Sequence, residues 1–169
     1  MLRRPEAADA VCVWSLIKRC PPLDVNSSYA YLLLSHHFAD TCVVAECGGA
    51  IVGFVSGYAP PSASQTLFVW QVAVDDRMRG QGLGHRMILD VLTRARRSPF
   101  TVLETTVSPS NTPSRRMFEK VAKSLNAALS ESSLFRREHL GESDHEEEHL
   151  LTIGPFGRLG GNALEGIEA

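Results

Sequence analysis

Apolar residues recur at helical spacing through residues 6–19, EAADAVCVWSLIKR, with Pro5 before them and Pro21-Pro22 after. That predicts a first helix over 6–19. Residues 23–38 read as a loop entering a second helix, with Asn26, Ser27 and Ser28 as alternative caps. The rhythm then changes to runs of β-branched and aromatic residues. Residues 41–46 and 50–57 flank Gly48-Gly49 and predict a hairpin. Beyond the loop at 59–64, TLFVWQVAV over residues 66–74 extends the hairpin to a meander. Helical spacing returns over 85–97 and stops at Ser98-Pro99. The next strand, 101–107, follows a crossover helix and is therefore expected parallel to 66–74. Residues 114–129 read as another helix, 135–148 as a polar, acidic stretch, and 149–153 as a short last strand. The glycine-rich tail from Gly157 is expected to fray. A first strand, so close to Arg3-Arg4-Pro5, is expected to be short or incomplete. The reading is a mixed α/β domain over 1–156, with a crevice where its parallel pair parts.

Composition narrows the partners. The chain has 169 residues and a net charge of −2, enough for one core and without a basic surface for nucleic acid. Arg94, Arg96 and Arg97 sit at a predicted helix C-terminus, where they suit the helix dipole. The apolar runs are too short for a membrane span, and the charged start lacks the apolar stretch of a signal peptide. Cys12, Cys20, Cys42 and Cys47 form no C-x-x-C pair, as expected of a reduced, cytoplasmic protein.

The first chemistry appears at Arg79-Gly80-Gln81-Gly82-Leu83-Gly84, between a predicted strand and a predicted helix. Glycines allow close backbone approach, and a helix start offers free N–H groups, so this is an anion cradle. It is not a P-loop, because no Lys-Ser or Lys-Thr follows. It is not the G-x-G-x-x-G dinucleotide turn, which would need glycine at His85 or Met87. The pattern that remains, R-x-x-G-x-G, is followed by a strand and then by an Asn-led helix at Asn111-Thr-Pro-Ser-Arg-Arg-Met-Phe118. Together these resemble the GNAT acetyltransferases over roughly residues 3–130. The resemblance implies acetyl-CoA as co-substrate and a mixed, mostly antiparallel, twisted sheet flanked by helices, its parallel pair splayed around the coenzyme. It implies coenzyme contacts from Val72, Val74, Arg79, Gly80, Gln81, Gly82, Leu83, Gly84, Asn111 and Ser114, with backbone N–H groups near Val72 meeting the oxyanion. Many relatives carry a thiolate-protonating tyrosine where this chain has Phe118. That acid is absent here, and solvent or the product ammonium is left to supply the proton.

A narrower resemblance rests on residues 20–34 (CPPLDVNSSYAYLLL), 38–42 (FADTC), 67–74, 103–111 (LETTVSPSN) and 145–148 (HEEE). These segments are similar to those of the diaminobutyrate acetyltransferase family of ectoine biosynthesis. By that resemblance the protein is a homodimer that acetylates the 4-amino group of L-2,4-diaminobutyrate. Asp24 and Glu148 would hold the amines, Trp70 would wall the pocket, and Tyr29 and His145 would stand beside them. Plainer readings stay open: Asp24 as a helix-flanking residue, Trp70 as core filler, Tyr29 and Tyr31 as packing residues, His145 as a hydrogen-bonding support. Another small amine, such as ornithine, lysine or a polyamine, is the alternative acceptor. Glu104, on a predicted central strand, is either paired or a rival proton relay. The H-E-x-x-H match at 145–149 runs into a strand-like segment, where two histidines would not share a helical face. No metal is therefore expected.

Overall fold

A computed structural model describes residues 1–94, 100–141 and 146–157. The elements in chain order are β1 (Leu2–Arg3), α1 (Ala10–Lys18), α2 (Ser28–His37), β2 (Val43–Cys47), β3 (Ala50–Tyr58), β4 (Thr66–Val74), α3 (Leu83–Arg94), β5 (Val102–Val107), α4 (Thr112–Ser124), β6 (Leu129–Phe135) and β7 (Glu148–Ile153). The strands form one sheet in the order β1-β2-β3-β4-β5-β7-β6. Every neighbouring pair is antiparallel except β4 and β5, which run parallel. The expected meander and crossover are both present.

Each face of the sheet buries its own apolar layer. On one, α3 and α4 bring Met87, Ile88, Phe118 and Val121 onto Leu67, Val69, Leu103, Leu151 and Ile153. On the other, α1 and α2 bring Val13, Leu16, Ile17, Tyr31 and Leu34 onto Val44, Phe54 and Ala73. Ser27 proves to be the cap of α2, its hydroxyl accepting the Ala30 N–H at 3.3 Å. The short first strand is also present, Leu2 and Arg3 pairing with Ala45 and Val44.

Several elements differ from the sequence reading, the first helix among them, whose α-helical part is residues 10–18 rather than 6–19. The last predicted helix does not reach residue 129. It ends at Ser124, Asn126 turns the chain at φ 49°, and residues 129–135 form a strand. That strand was missed because LSESSLF has no period-2 alternation. It is an exposed edge strand, held by its ladder to β7 rather than by a buried face. The following strand is last in sequence but lies between β5 and β6. Helix α3 begins at Leu83 rather than His85, so the glycine turn runs directly into its first turn. The expected break at Ser98-Pro99 and the tail beyond Gly157 lie outside the described residues.

Candidate active site

The parallel pair comes apart midway. Its last partners are Val69 and Thr105, after which β4 continues to Val74 and β5 to Val107 without each other. A β-bulge at Trp70 marks the same place. Val69 pairs with Gly57 and Gln71 with Ser56, leaving Trp70 as the extra residue. One inserted residue reverses the alternation of the strand. Before the bulge Leu67 and Val69 face the α3–α4 layer; after it Val72 and Val74 do. Ala73 and Gln71 are thereby turned toward α2. The bulge's displaced amide is satisfied by a side chain, the Gln71 N–H donating to buried Ser56 Oγ at 3.2 Å.

Beside the opening lies the glycine turn. Gly80 and Gly82 have φ of 75° and 71°, in the left-handed region that glycine adopts without penalty. Gly84 serves packing: a Cβ there would lie 2.7 Å from Met117 Sδ and 3.3 Å from Val72 Cγ1. The Arg86 N–H bonds the Gly82 carbonyl. The amides of Leu83, Gly84 and His85 precede that bond and sit at the positive end of the helix dipole. Arg79 braces the turn, its Nε donating to the Val74 carbonyl at 3.2 Å and its guanidinium pairing with Asp76 at 2.8 Å. Gln81 Nε2 donates to the Arg77 carbonyl at 3.1 Å. A further cation comes from α4: Lys120 Nζ stands 3.8 Å from where a Gly82 Cβ would be. Beneath the turn, buried His85 bonds Ser124 Oγ through Nε2 at 2.8 Å. Burial, then Lys120 and Arg86, lower its pKa, so it stands neutral at pH 7. Asn111 caps α4, its side-chain oxygen accepting the Ser114 N–H at 3.2 Å.

The opposite wall starts from the loop between α1 and α2. Its Asp24 carbonyl accepts Gln71 Nε2 at 2.8 Å, Gln71 Oε1 accepts the Tyr31 hydroxyl at 3.3 Å, and Tyr31 Oη accepts the Asn26 N–H at 3.3 Å. The loop carrying Asp24 is therefore pinned one residue from Trp70. Across the opening, Glu148 begins β7 beside the pair of Val107 and His149. The His149 ring bonds Glu131 and Glu147 at 2.5 Å and 2.9 Å, and Arg115 also pairs with Glu131. The hydrogen bond to Glu131, then that to Glu147, raises the His149 pKa. Strand alternation places Glu148 on the face opposite that cluster. The segment before it is tied to the β5–α4 turn, Glu146 accepting the Ser110 N–H at 3.1 Å.

A glycine turn at a helix start, a splayed parallel pair and a pinned loop carrying Asp24 suit acyl transfer from a phosphorylated carrier. Comparison with known proteins gives that arrangement its family. The acetyltransferase (GNAT) family model matches residues 11–122. The chain is 50% identical over 156 residues to the L-2,4-diaminobutyric acid acetyltransferase of Bordetella parapertussis, covering 92% of this chain and 84% of that one. It is 45% identical to the enzyme of the same name from Halomonas elongata, covering 92% and 81%. The chain belongs to the diaminobutyric acid acetyltransferases, a GNAT family. Diaminobutyrate acetyltransferase EctA from Paenibacillus lautus, solved with its substrate L-2,4-diaminobutyric acid and coenzyme A, superposes with a TM-score of 0.88 at 41% identity, covering 95% of this chain and 98% of that one. Ard1 from Thermoplasma volcanium, at 18% identity and a TM-score of 0.73, shares the fold.

Within this family member, the structure gathers Val72, Val74 and residues 79–84 along one side of the opening, with Asn111 and Ser114 at the start of α4. The Asp24 backbone is tied to Gln71, the residue after Trp70. Trp70 is 44% exposed, so it is not core filler; Tyr29 is exposed on α2, while Tyr31 is fully buried. Phe118 is buried in the α3–α4 layer. Glu104 lies opposite Phe68 and Thr152 and has no ion pair among the described residues. His145 lies outside the described residues. His149 stands on a strand with both ring nitrogens bonded to carboxylates, which removes the helical zinc geometry. Among the described residues no three His, Cys, Asp or Glu side chains form a metal-binding group, and no helix is long and apolar enough to cross a membrane. Sequence reasoning missed Gln71 and Lys120. Each sits in a regular pattern, and only the bulge and the α3–α4 contact turn them toward the site.

Proposed function

We propose that the protein transfers the acetyl group of acetyl-CoA to the 4-amino group of L-2,4-diaminobutyrate. The observation that carries this reading is the pairing of the two walls. A built phosphate cradle lies on one side of the splayed strands, and the loop of Asp24, pinned beside Trp70, lies on the other. The substrate named for the Paenibacillus relative supports it, since that enzyme binds diaminobutyric acid and coenzyme A in this same fold.

In this reading the cradle amides of 83–85, with Lys120 and the braced turn at Arg79, hold the pyrophosphate. Asn111 and Ser114 flank the pantetheine arm. The thioester then lies in the gap beyond Val69 and Thr105, where β4 offers backbone near Val72 for the developing oxyanion. Asp24 and Glu148 hold the ammonium groups of the acceptor against Trp70, with Tyr29 and His145 at its margin. An aliphatic ammonium has a pKa near 10, so roughly one molecule in a thousand is nucleophilic at neutral pH. The carboxylates favour the bound cation, and one proton must leave before attack. The free amine nitrogen then forms its bond to the carbonyl carbon. Collapse of the tetrahedral intermediate breaks the carbon–sulfur bond, and the departing thiolate takes a proton from solvent or from the product nitrogen. Proximity of amine and thioester supplies most of the advantage. No acyl-enzyme is required. The working form is a cytoplasmic homodimer with one acetyltransferase domain per chain, residues 1–156.

The test is incubation with acetyl-CoA and L-2,4-diaminobutyrate, following free thiol and the position acetylated. Acetylation at the 4-amino group is expected. Absence of turnover, acetylation only at the 2-amino group, or higher kcat/KM for ornithine, lysine or a polyamine overturns the assignment.

A further inference from the structure

Two polar side chains lie where a core usually holds none. Tyr31 is fully buried and Gln71 is 4% exposed, within the layer of α1, α2 and β4. The Tyr31 ring packs edge-on to Phe54, with centroids 6.3 Å apart, and phenylalanine would fill that place equally well. A buried hydroxyl and a buried amide are costly unless hydrogen-bonded. They bond each other, the Tyr31 hydroxyl donating to Gln71 Oε1, and their remaining side-chain partners lie outside the core. The Gln71 amide donates to the Asp24 carbonyl, and Tyr31 Oη accepts the Asn26 N–H. Both belong to the loop between α1 and α2, whose Asp24 and Val25 are exposed. The loop's flanks are closed by local turns, Leu23 N–H to the Cys20 carbonyl and Ala30 N–H to the Ser27 carbonyl. Between those turns the strand and the helix grip the loop through Gln71 and Tyr31. The Trp70 bulge makes this possible, because without it Gln71 would point into the α3–α4 layer.

We infer that Gln71 and Tyr31 are positioning residues for the acceptor, a buried clamp that sets the Asp24 loop against Trp70. This rests on the proposed acceptor role of Asp24. The bulge thus does two things at once: it exposes Trp70 at the opening and aims the next side chain at the loop facing it. The coenzyme side, built from α3, α4 and the glycine turn, has no part in the clamp.

The experiment measures both Michaelis constants in Gln71→Leu and Tyr31→Phe, with Gln71→Leu also placed in an Asp24→Ala background. Gln71→Leu removes the bonds to the Asp24 carbonyl and to the Tyr31 hydroxyl, and is expected to raise KM for diaminobutyrate about tenfold; Tyr31→Phe removes the bonds to the Asn26 N–H and to Gln71 but leaves Gln71 on the Asp24 carbonyl, and is expected to raise it about threefold. KM for acetyl-CoA should stay within about twofold of wild type. In the Asp24→Ala background Gln71→Leu should add little, because it acts through that residue. Hydrogen exchange supplies a readout independent of substrate: the Asn26 amide should exchange faster in Tyr31→Phe, and the Arg86 amide should not. Equal rises in both Michaelis constants, full additivity with Asp24→Ala, or unchanged exchange at Asn26 each overturn the clamp. A wild-type protein without turnover on diaminobutyrate overturns the proposed function instead, and the exchange measurement then decides the clamp alone.

Discussion

Gly82→Ala and Gly84→Ala should fail in different ways, although the two positions are two residues apart. At Gly82 a Cβ meets nothing closer than Lys120 Nζ at 3.8 Å, so space is not limiting. The backbone is: φ is 71°, and a non-glycine residue there costs about 1–2 kcal/mol. The turn is exposed and unloaded in the free protein, so it can relax away from that conformation. Acetyl-CoA must then restore it, and affinity should fall by about 5–30-fold at nearly constant unfolding free energy. At Gly84 the backbone is helical and the space is full. A methyl group 2.7 Å from Met117 Sδ and 3.3 Å from Val72 Cγ1 must push α3 from α4 or turn the methionine to another rotamer. Overpacking of this kind costs about 1–3 kcal/mol, and it falls on the fold itself. Titration calorimetry with coenzyme A and urea unfolding separate the two cases. Wild-type affinity in Gly82→Ala, or wild-type stability in Gly84→Ala, would refute the reasoning about which demand each glycine meets.

Other consequences are open to direct measurement. Asp9 accepts two hydrogen bonds from Arg3, at 2.7 Å and 2.9 Å, and one from the Glu6 N–H at 2.7 Å; Asp9→Ala should cost roughly 2–3 kcal/mol in urea unfolding at pH 7. Arg3 chiefly holds the Asp9 pKa below its usual value, so that contribution is present above about pH 4 and is lost as pH falls through the lowered value. His149 has the opposite sign. Its raised pKa gives stability that is full below about pH 6.5 and fades as pH rises through the folded value. His149→Gln should therefore flatten the slope of Tm between pH 6.5 and alkaline pH, and an unchanged slope would dismiss the Glu131–His149–Glu147 bridge as a contributor. Met87, fully buried against Gly53, should lose about 2–5 kcal/mol on truncation to alanine. That corresponds to a Tm drop of roughly 2–4 °C per kcal/mol, and a drop under 2 °C would contradict its place in the core.

Much of the fold was legible because local patterns and tertiary structure agree. The meander strands are dense in β-branched residues, Gly48-Gly49 closes their hairpin, and the crossover helix makes β5 parallel to β4. The glycine turn and the Asn111 cap were equally legible, since a turn, a helix start and a cap are short-range structures. Strand β6 escaped because an exposed edge strand draws its order from the neighbour it pairs with, and its own sequence carries no buried face. The wall opposite the glycine turn shows the same division. Asp24, Trp70 and Glu148 were identifiable only as residues that resemble a family's, the first two with a plainer reading open beside them. A single inserted residue at Trp70 decided how the first two are arranged, by reversing the alternation of β4 and turning Gln71 onto the Asp24 loop. Composition and spacing determined that the chain builds a glycine turn at a helix start on a mixed sheet. Only the tertiary structure decided what faces it, because the bulge, the splay beyond Val69 and the insertion of β7 beside β5 depend on contacts between residues far apart in sequence.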